Sequence, residues 1–451
     1  MSLSSLLGIA RSALAARQMQ LDVTGHNIAN ATSDGYTRQR VRLVAATPLR
    51  TTVGQIGTGV VVDGIERARS TGLDASFRTE SGSLGRFQTL SDTLGRVEAM
   101  FGEPSDTGLA ASLDAFWSAW SDLAADPSGS ATRTVVRQRA TQIVSQIGDL
   151  GRRIEGVRTQ TITQLTSQVG EINNAAERIV ALNIQIQAAG VAPDLRDARD
   201  LAVDQLSKLV PVRVVEHPTG AIAVYAGDAL LVDSGTRREM TVNCSLDGVY
   251  SLGFTDSSRP VLATNSSTGA LVDLLTTGLP ELQQQVDQLA GAIVDAVNAE
   301  HFKGVPASGG LAGTNFFVST GTTAHSMAIA SAILESVDAI AAGLGLPGDG
   351  SVAQAIANLR GTALPGLDGR TAGAFYADVA TGLGLSVADA NRQITTQDIL
   401  VNQITNQRSS VSDVSVDEEL VNLIAFQQAY VAATRVVTAA DEMMQAVLAM
   451  V

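Results

Sequence analysis

Two stretches at opposite ends of the chain carry the apolar spacing of a coiled coil. Near the start, Leu3, Leu7, Ala10, Leu14, Leu21 and Ile28 advance in steps of four and three, with Arg17 and Thr24 as polar interruptions. Near the end, Phe426, Ala429, Ala433, Val436, Ala440, Met443, Val447 and Met450 keep the same rhythm. A second row, Leu423, Tyr430, Val437, Met444 and Val451, runs beside it and widens the apolar face. The spacing predicts one helix over residues 3–30, stopped by the turn formers Thr32-Ser33-Asp34-Gly35. It predicts a last helix entered through Asp417, Glu418 and Glu419, carboxylates that suit the positive end of a helix dipole. Paired seams this wide exceed what two helices use up. The candidate assembly surface is therefore Leu3, Leu7, Leu14, Leu21 and Ile28 together with Leu423, Phe426, Tyr430, Val437, Met444 and Val451.

Between the ends the period changes twice. Residues 36–68 read as extended, with Val41-Arg42-Leu43-Val44 alternating and Gly54, Gly57 and Gly59 as punctuation. Leu73, Phe77, Leu84, Phe87, Leu94, Val97 and Phe101 then predict a helix, and Leu109, Leu113, Phe116, Trp117, Trp120 and Leu123 a shorter one. The longest helix runs from about Thr132 to Ala189, roughly 85 Å at 1.5 Å per residue. Its seam takes two successive steps of four through Thr161, a stutter that locally unwinds a supercoil. Residues 210–262 switch to short alternating runs separated by Pro218-Thr219-Gly220, Gly227-Asp228, Ser234-Gly235 and Asp247-Gly248, which predicts a small antiparallel β-domain. Leu282, Val286, Leu289, Ile293 and Ala296 resume the helical seam. Residues 303–323 are Gly-rich, residues 324–389 read as Ala-rich helices broken by glycines, and a polar helix leads from Ala388 to Arg408.

The expected fold is mainly α with a β insert: an elongated multidomain rod with its terminal helices paired. Residues 1–35 and 412–451 would form the coiled-coil assembly domain. Residues 36–207, 265–303 and 390–411 would form the helical rod, 208–264 the β-domain and 304–389 a Gly/Ala-rich variable helical region. A chain that leaves its rod, makes a β excursion and returns brings its two ends together.

Composition narrows the function. A net charge of −14, with only Lys208 and Lys303 as lysines, disfavours nucleic-acid phosphate and anionic membrane surfaces. No run approaches ~18 consecutive apolar residues, so no membrane insertion is expected. Residues 1–21 lack the basic n-region of a cleaved signal peptide, and Arg11 and Arg17 interrupt their apolar part. Cys244 stands alone, which removes disulfide and metal frameworks, and its alternating surroundings predict a buried or half-buried strand residue.

Catalytic patterns are weak. Gly343-Leu344-Gly345-Leu346-Pro347-Gly348 fits a dinucleotide fingerprint by letter, but Met327 to Ala342 reads as an Ala-rich helix where that motif needs a strand, so an interhelical turn is expected. His26, His217, His301 and His325 are dispersed and give no ligand pair. Asp194, Asp197 and Asp200 with Arg196 and Arg199 predict ion pairs along one helix face. Trp117 and Trp120 read as core. No catalytic, cofactor-binding or metal residue is assigned, and no enzyme is expected.

One motif goes further. His26-Asn27-Ile28-Ala29-Asn30-Ala31-Thr32-Ser33-Asp34-Gly35-Tyr36 resembles the signature of bacterial flagellar rod, hook and hook-associated proteins, through Asn27, Ile28, Ala29, Asn30, Thr32, Gly35 and Tyr36. His26 departs from it, standing where that family more often has Asn. Thr37-Arg38-Gln39-Arg40, Asp197-Ala198-Arg199-Asp200 and Val416 through Tyr430 resemble the hook-associated branch that joins hook to filament. The resemblance implies a homo-oligomeric ring or tubular layer built through the terminal helices. It implies contact with the hook protein on one side and the next junction protein on the other. It implies export through the flagellar type III apparatus with an export chaperone, without signal cleavage. The rivals are a hook or rod protein, which goes on to strands where residues 73–189 are helical, and a coiled-coil surface adhesin, which needs a signal peptide.

Overall fold

The structure is a computed structural model. It describes residues 3–51, 54–103, 105–309 and 311–449, and their side chains apart from those at 3, 4, 51 and 447. Met450 and Val451 lie outside the described residues.

Helix α1 (Leu3–Ala29) runs antiparallel to the last helix, α11 (Val416–Leu448): Asn27, near the end of α1, meets Glu419 at the start of α11, and the Arg17 guanidinium lies 5.9 Å from the Phe426 ring centroid. A β-ribbon covers another side of α1. Strand β1 (Gln39–Ala45) pairs antiparallel with β4 (Val60–Arg67), from Gln39 opposite Arg67 to Ala45 opposite Val60, with a bulge at Arg42/Leu43. Strands β2 (Leu49–Thr51) and β3 (Gly54–Ile56) close its tip. The ribbon reaches α1 at Gly59, whose φ is +110° and where a Cβ would collide with Ser12 Oγ; the Val60 N–H donates to that hydroxyl at 3.4 Å.

The rod begins with α2 (Thr71–Phe101), capped by the Ser70 hydroxyl and ended by left-handed Gly102. Then come α3 (Leu109–Ala125), the 60-residue α4 (Ser130–Ala189) and α5 (Pro193–Leu209). After the β-domain follow α6 (Ser267–Asp273), a π-helical turn at Leu274–Gly278 and α7 (Leu279–His301). The short α8 (Ser331–Glu335) and α9 (Ser351–Asn358) lead to α10 (Ala372–Ser412), which returns along α2 to the base of the terminal pair.

Two hydrophobic cores share α4. The distal core takes α4 from Val136 to Val157, with α3, α7, Phe316, Phe317 and Leu383; Phe116, Trp117, Trp120, Phe316 and Phe317 form its aromatic centre. The second core takes α4 from Leu165 to Ile179, with α5, the β-domain and Leu271. Thr161, the stutter residue, sits fully buried between them, its hydroxyl returned to the Val157 carbonyl at 2.8 Å. The β-domain is two antiparallel sheets. One is the meander β5 (Val212–Glu216), β6 (Ile222–Ala226), β7 (Ala229–Asp233) and β8 (Thr236–Arg237). The other has β10 (Tyr250–Phe254) between β9 (Met240–Cys244) and β11 (Ser257–Val261).

Several expectations need correction. Cys244 is exposed, because it ends edge strand β9 where the chain turns. Most of residues 304–371 is irregular rather than helical, and the α10 helix starts at Ala372, inside the segment read as variable. The side chain of Asn298 explains part of this: it accepts from the Phe316 and Phe317 N–H groups at 2.9 and 2.8 Å and donates to the Phe317 carbonyl at 3.0 Å, holding that segment out of a helix. His301 works beside it, bonded to the Thr314 carbonyl at 2.7 Å and accepting from the Ala341 N–H at 2.9 Å. Met327 to Ala342 is accordingly not one helix but α8 with a 3-10 turn at Val337–Ala339. At the glycine motif, Asp349 already takes the Leu344 and Ser351 N–H groups, at 2.6 and 2.9 Å, that an incoming phosphate would need.

Candidate assembly surface and its anchor

The helix pair uses only part of its apolar surface. Ala10 and Ala440 are buried; Leu7, Leu14, Leu21 and Ile28 of α1, and Leu423, Phe426, Ala433 and Val437 of α11, are half-buried along the seam. The other side of α11 faces solvent: Leu420, Val421 (67 % exposed), Ile424 (57 %), Val431 and Leu448 (71 %). Four residues of the expected seam rows, Tyr430, Val436, Met443 and Met444, are exposed too rather than enclosed by the two-helix contact. The side chain of Leu3, and all of Val451, lie outside the described residues. One helical stretch within residues 372–446 is apolar and long enough to cross a membrane by length and composition alone, with a mean hydropathy of 1.2 and 6 % of it buried.

The signature residues build the anchor at the base of this pair. Asn27, 1 % exposed, is saturated: its Nδ2 donates to the Gln39 carbonyl at 2.9 Å and to Glu419 Oε2 at 3.0 Å, and its Oδ1 accepts from the Gln39 N–H at 3.0 Å and the Tyr36 hydroxyl at 2.8 Å. One amide therefore ties α1, the turn after it and α11 together. Gly35 adopts φ +76°, which aims Tyr36 back at α1. Burial, followed by the negative charges of Asp194, Asp197 and Glu419, pushes the Tyr36 phenol well above its ordinary range, so it stays a donor. Asn30 bonds the His26 carbonyl at 3.1 Å and accepts from Ser33 at 3.1 Å, closing the turn; Ala29 and Thr32 are exposed.

The next residues each engage a different element. The Thr37 N–H and hydroxyl both donate to Asp197 on α5, at 3.0 and 2.5 Å. The Arg38 N–H donates to the Ser412 carbonyl at the end of α10, and its own carbonyl accepts from Ala68, both at 2.8 Å. Its guanidinium binds Glu419 at 2.6 Å and Glu418 at 2.9 Å. Gln39 Nε2 donates to Asp194 at 2.7 Å, and His26 lies 3.2 Å from the same carboxylate.

Below this turn lies an ion network that sequence reasoning missed. Arg67 binds Asp197 and Asp200, both at 2.8 Å; Arg69 binds Asp74 at 2.5 Å and Asp200 at 3.0 Å. Arg78 binds Asp204 at 2.6 Å, and Arg408 binds Asp204 at 2.8 Å and Asp74 at 3.0 Å. Four carboxylates meet four guanidinium groups from β4, α2, α10 and the segment joining β4 to α2. The expected pairing within α5 is corrected. Arg196 goes to Glu216 at 3.2 Å, and Arg199 turns inward to Asn183 at 3.1 Å and the Gly220 carbonyl at 2.7 Å. Residues two apart on a helix point to opposite sides, so Asp197 and Arg199 separate. Burial drops the Arg199 pKa to about 10. Burial also raises the Asp197 carboxyl above its ordinary value, with Thr37 and Arg67 pulling back; for Asp200 burial pushes the same way, but Arg69 and Arg67 together prevail and lower it. Among the described residues no group of three or more His, Cys, Asp or Glu side chains could hold a metal ion.

Comparison with known proteins agrees along the whole chain. Residues 94–317 match the family model described as flagellar hook-associated protein FlgK helical domain. Residues 405–450 match the flagellar basal body rod FlgEFG protein C-terminal model, and 7–37 the flagella basal body rod protein model. The flagellar hook-associated protein 1 of Bacillus subtilis is 29 % identical, over 99 % of this chain and 98 % of that one. The Escherichia coli protein of the same name is 25 % identical over 99 % and 100 %. A solved flagellar hook junction protein from Burkholderia pseudomallei shares the fold, with a TM-score of 0.67 at 17 % identity over 76 % of this chain and all of that one. The chain belongs to the flagellar hook-associated protein 1 family.

Proposed function

We propose that this chain is a structural component of the bacterial flagellum that polymerises, through α1 and α11, into the layer joining hook to filament. The observation that carries this is the outer face of α11: a family member whose last helix keeps Val421, Ile424, Val431 and Leu448 in solvent has apolar surface suited to neighbouring copies. Burying each of these half- to two-thirds-exposed side chains contributes on the order of 1 kcal/mol, so a few per subunit, repeated around a ring, hold a layer together. The membrane-like hydropathy of the same region follows from this role.

The partners on this reading are further copies of the chain, the hook protein below, the next junction protein above and, before assembly, an export chaperone and the type III apparatus. The role is mechanical, with no catalysis and no cofactor. Rod-protein models match the two ends, while the hook-associated model covers the middle, which favours the junction over a hook or rod position. Deleting residues 412–451 should leave a folded rod and β-domain that no longer enters the junction. Normal motility from that truncation would overturn the assignment.

A further inference from the structure

The terminal unit, formed by α1, α11 and the β1–β4 ribbon, is joined to the rod by two single-chain crossings: Ala68-Arg69-Ser70 from β4 to α2, and Asp413-Val414-Ser415 from α10 to α11. Two such crossings leave a swivel unless something else locks it. Arg38 pins both to one point, because its N–H holds Ser412 and its carbonyl holds Ala68. A pivot at one point still permits rotation about it. The contacts that oppose rotation converge on α5. Asp197 takes both donors of Thr37 and also Arg67 at 2.8 Å, Asp200 takes the same Arg67 nitrogen at 2.8 Å, and Asp194 takes Gln39 and His26. The three are unequal, since Asp200 holds only Arg67 of the terminal unit. Asp194 is largely exposed and weakened by water and salt, whereas the Asp197 side chain is 6 % exposed and its three donors come from two different segments of the terminal unit. Gly35 packs on Leu201 beside it, so the same turn is also held apolarly.

We propose that Asp197 is a positioning residue, a clamp on Thr37 and Arg67 that fixes the angle at which the α1–α11 pair leaves the rod. This rests on the reading of α11 as the assembly surface, since the clamp then sets where that surface points. It also gives an adaptor a natural place to accommodate two lattices: releasing the Asp197 carboxylate loosens the terminal unit about the Arg38 pivot, leaving Arg67 on Asp200 as the remaining buried ion pair to α5, without unfolding either unit.

The test measures the angle in single chains at high dilution, where assembly plays no part. Spin labels go on Ala15→Cys in α1 and Thr396→Cys in α10, both exposed, in the full chain with Cys244→Ser. The parent should give one narrow inter-label distance. Asp197→Asn keeps the side-chain volume but cannot accept from all three donors, and should broaden the distribution with far-ultraviolet ellipticity unchanged. Thr37→Val, which removes one donor and leaves the carboxylate, should broaden it less, and serves alone if Asp197→Asn fails to fold. A parent distribution already broad, or one that stays narrow in both folded variants, overturns the clamp. Broadening in a chain whose 412–451 truncation nevertheless supports normal motility keeps the clamp and removes only the assembly role.

Discussion

Two long helices of this chain, α4 and α11, are both rich in aliphatic residues and meet opposite fates. In α4, Ile143, Ile147, Ile154, Leu165, Ile172, Ile179 and Ile186 are all enclosed, by α3 and α7 at one end and by α5 and the β-domain at the other. In α11 the buried described side chains are Glu419 and Ala440, while Val421, Ile424 and Leu448 stand in water. The difference is not hydrophobicity but partners. The chain supplies two cores' worth of neighbours to α4, and little more than one helix to α11. Where a chain falls short of covering its own apolar surface, that surface is where other molecules belong.

If the rod is self-sufficient, damage to its core should be large and stay within it. Trp120→Ala empties the aromatic centre shared with Phe116, Phe316 and His301, and should cost about 4 kcal/mol in urea unfolding. A loss below about 1 kcal/mol would mean that the distal core is far looser than its burial implies.

The terminal unit should break at its polar anchor instead. Asn27→Leu fits the space poorly and strands the Gln39 N–H and carbonyl, the Tyr36 hydroxyl and one oxygen of Glu419. A loss of about 3 kcal/mol is expected. It should be local: amide exchange quickens in α1 and the early turns of α11 while α4 keeps its protection. Uniform loss of protection would refute the division between the two regions.

Acid should separate them too. Burial lowers the His301 pKa from its ordinary 6.5 to about 4, with only the Thr314 carbonyl opposing, so the folded rod holds the ring neutral. Between those values the unfolded chain takes up a proton that the folded chain refuses. Stability is therefore full above pH 6.5 and is lost as the pH falls toward 4, by about 3 kcal/mol in all. His301→Gln should flatten that part of the pH profile in thermal unfolding. An unchanged slope would show that other groups set it.

These predictions draw on features of unequal legibility. The helices of the rod could be read from the period of their apolar residues, and so could the stutter at Thr161, because both follow from local spacing; that two separate cores meet at that stutter could not. The Asp–Arg network could not be read. Arg67, Arg78 and Arg408 reach Asp197, Asp200 and Asp204 from more than 120 positions away, and spacing along α5 says nothing about which distant cation arrives. Residues 304–371 misled for the opposite reason. Their alanines favour helix locally, but Asn298 and His301 on α7 capture the backbone groups that a helix would use. At the terminal pair the width of the stripe was legible. How much of it the partner helix covers was not: Tyr430, Val436, Met443 and Met444 stay open.

The smallest expected effect is the most informative. Ile424→Ser changes a side chain 57 % exposed on the outer face of α11, touching neither the seam nor the anchor. In the isolated chain its stability change should stay within about 0.5 kcal/mol, as for ordinary surface positions. If copies of the chain assemble through α11 as proposed, the same change recurs in every copy of the layer. A loss on the order of 1 kcal/mol per interface then multiplies, and incorporation into the junction should fall well before any monomer property moves. Leu423→Ser, one position away on the half-buried seam, supplies the contrast, since it should lower the stability of the α1–α11 pair directly. If both substitutions destabilise the lone chain alike, α11 has no free face, and the contrast with α4 disappears with it.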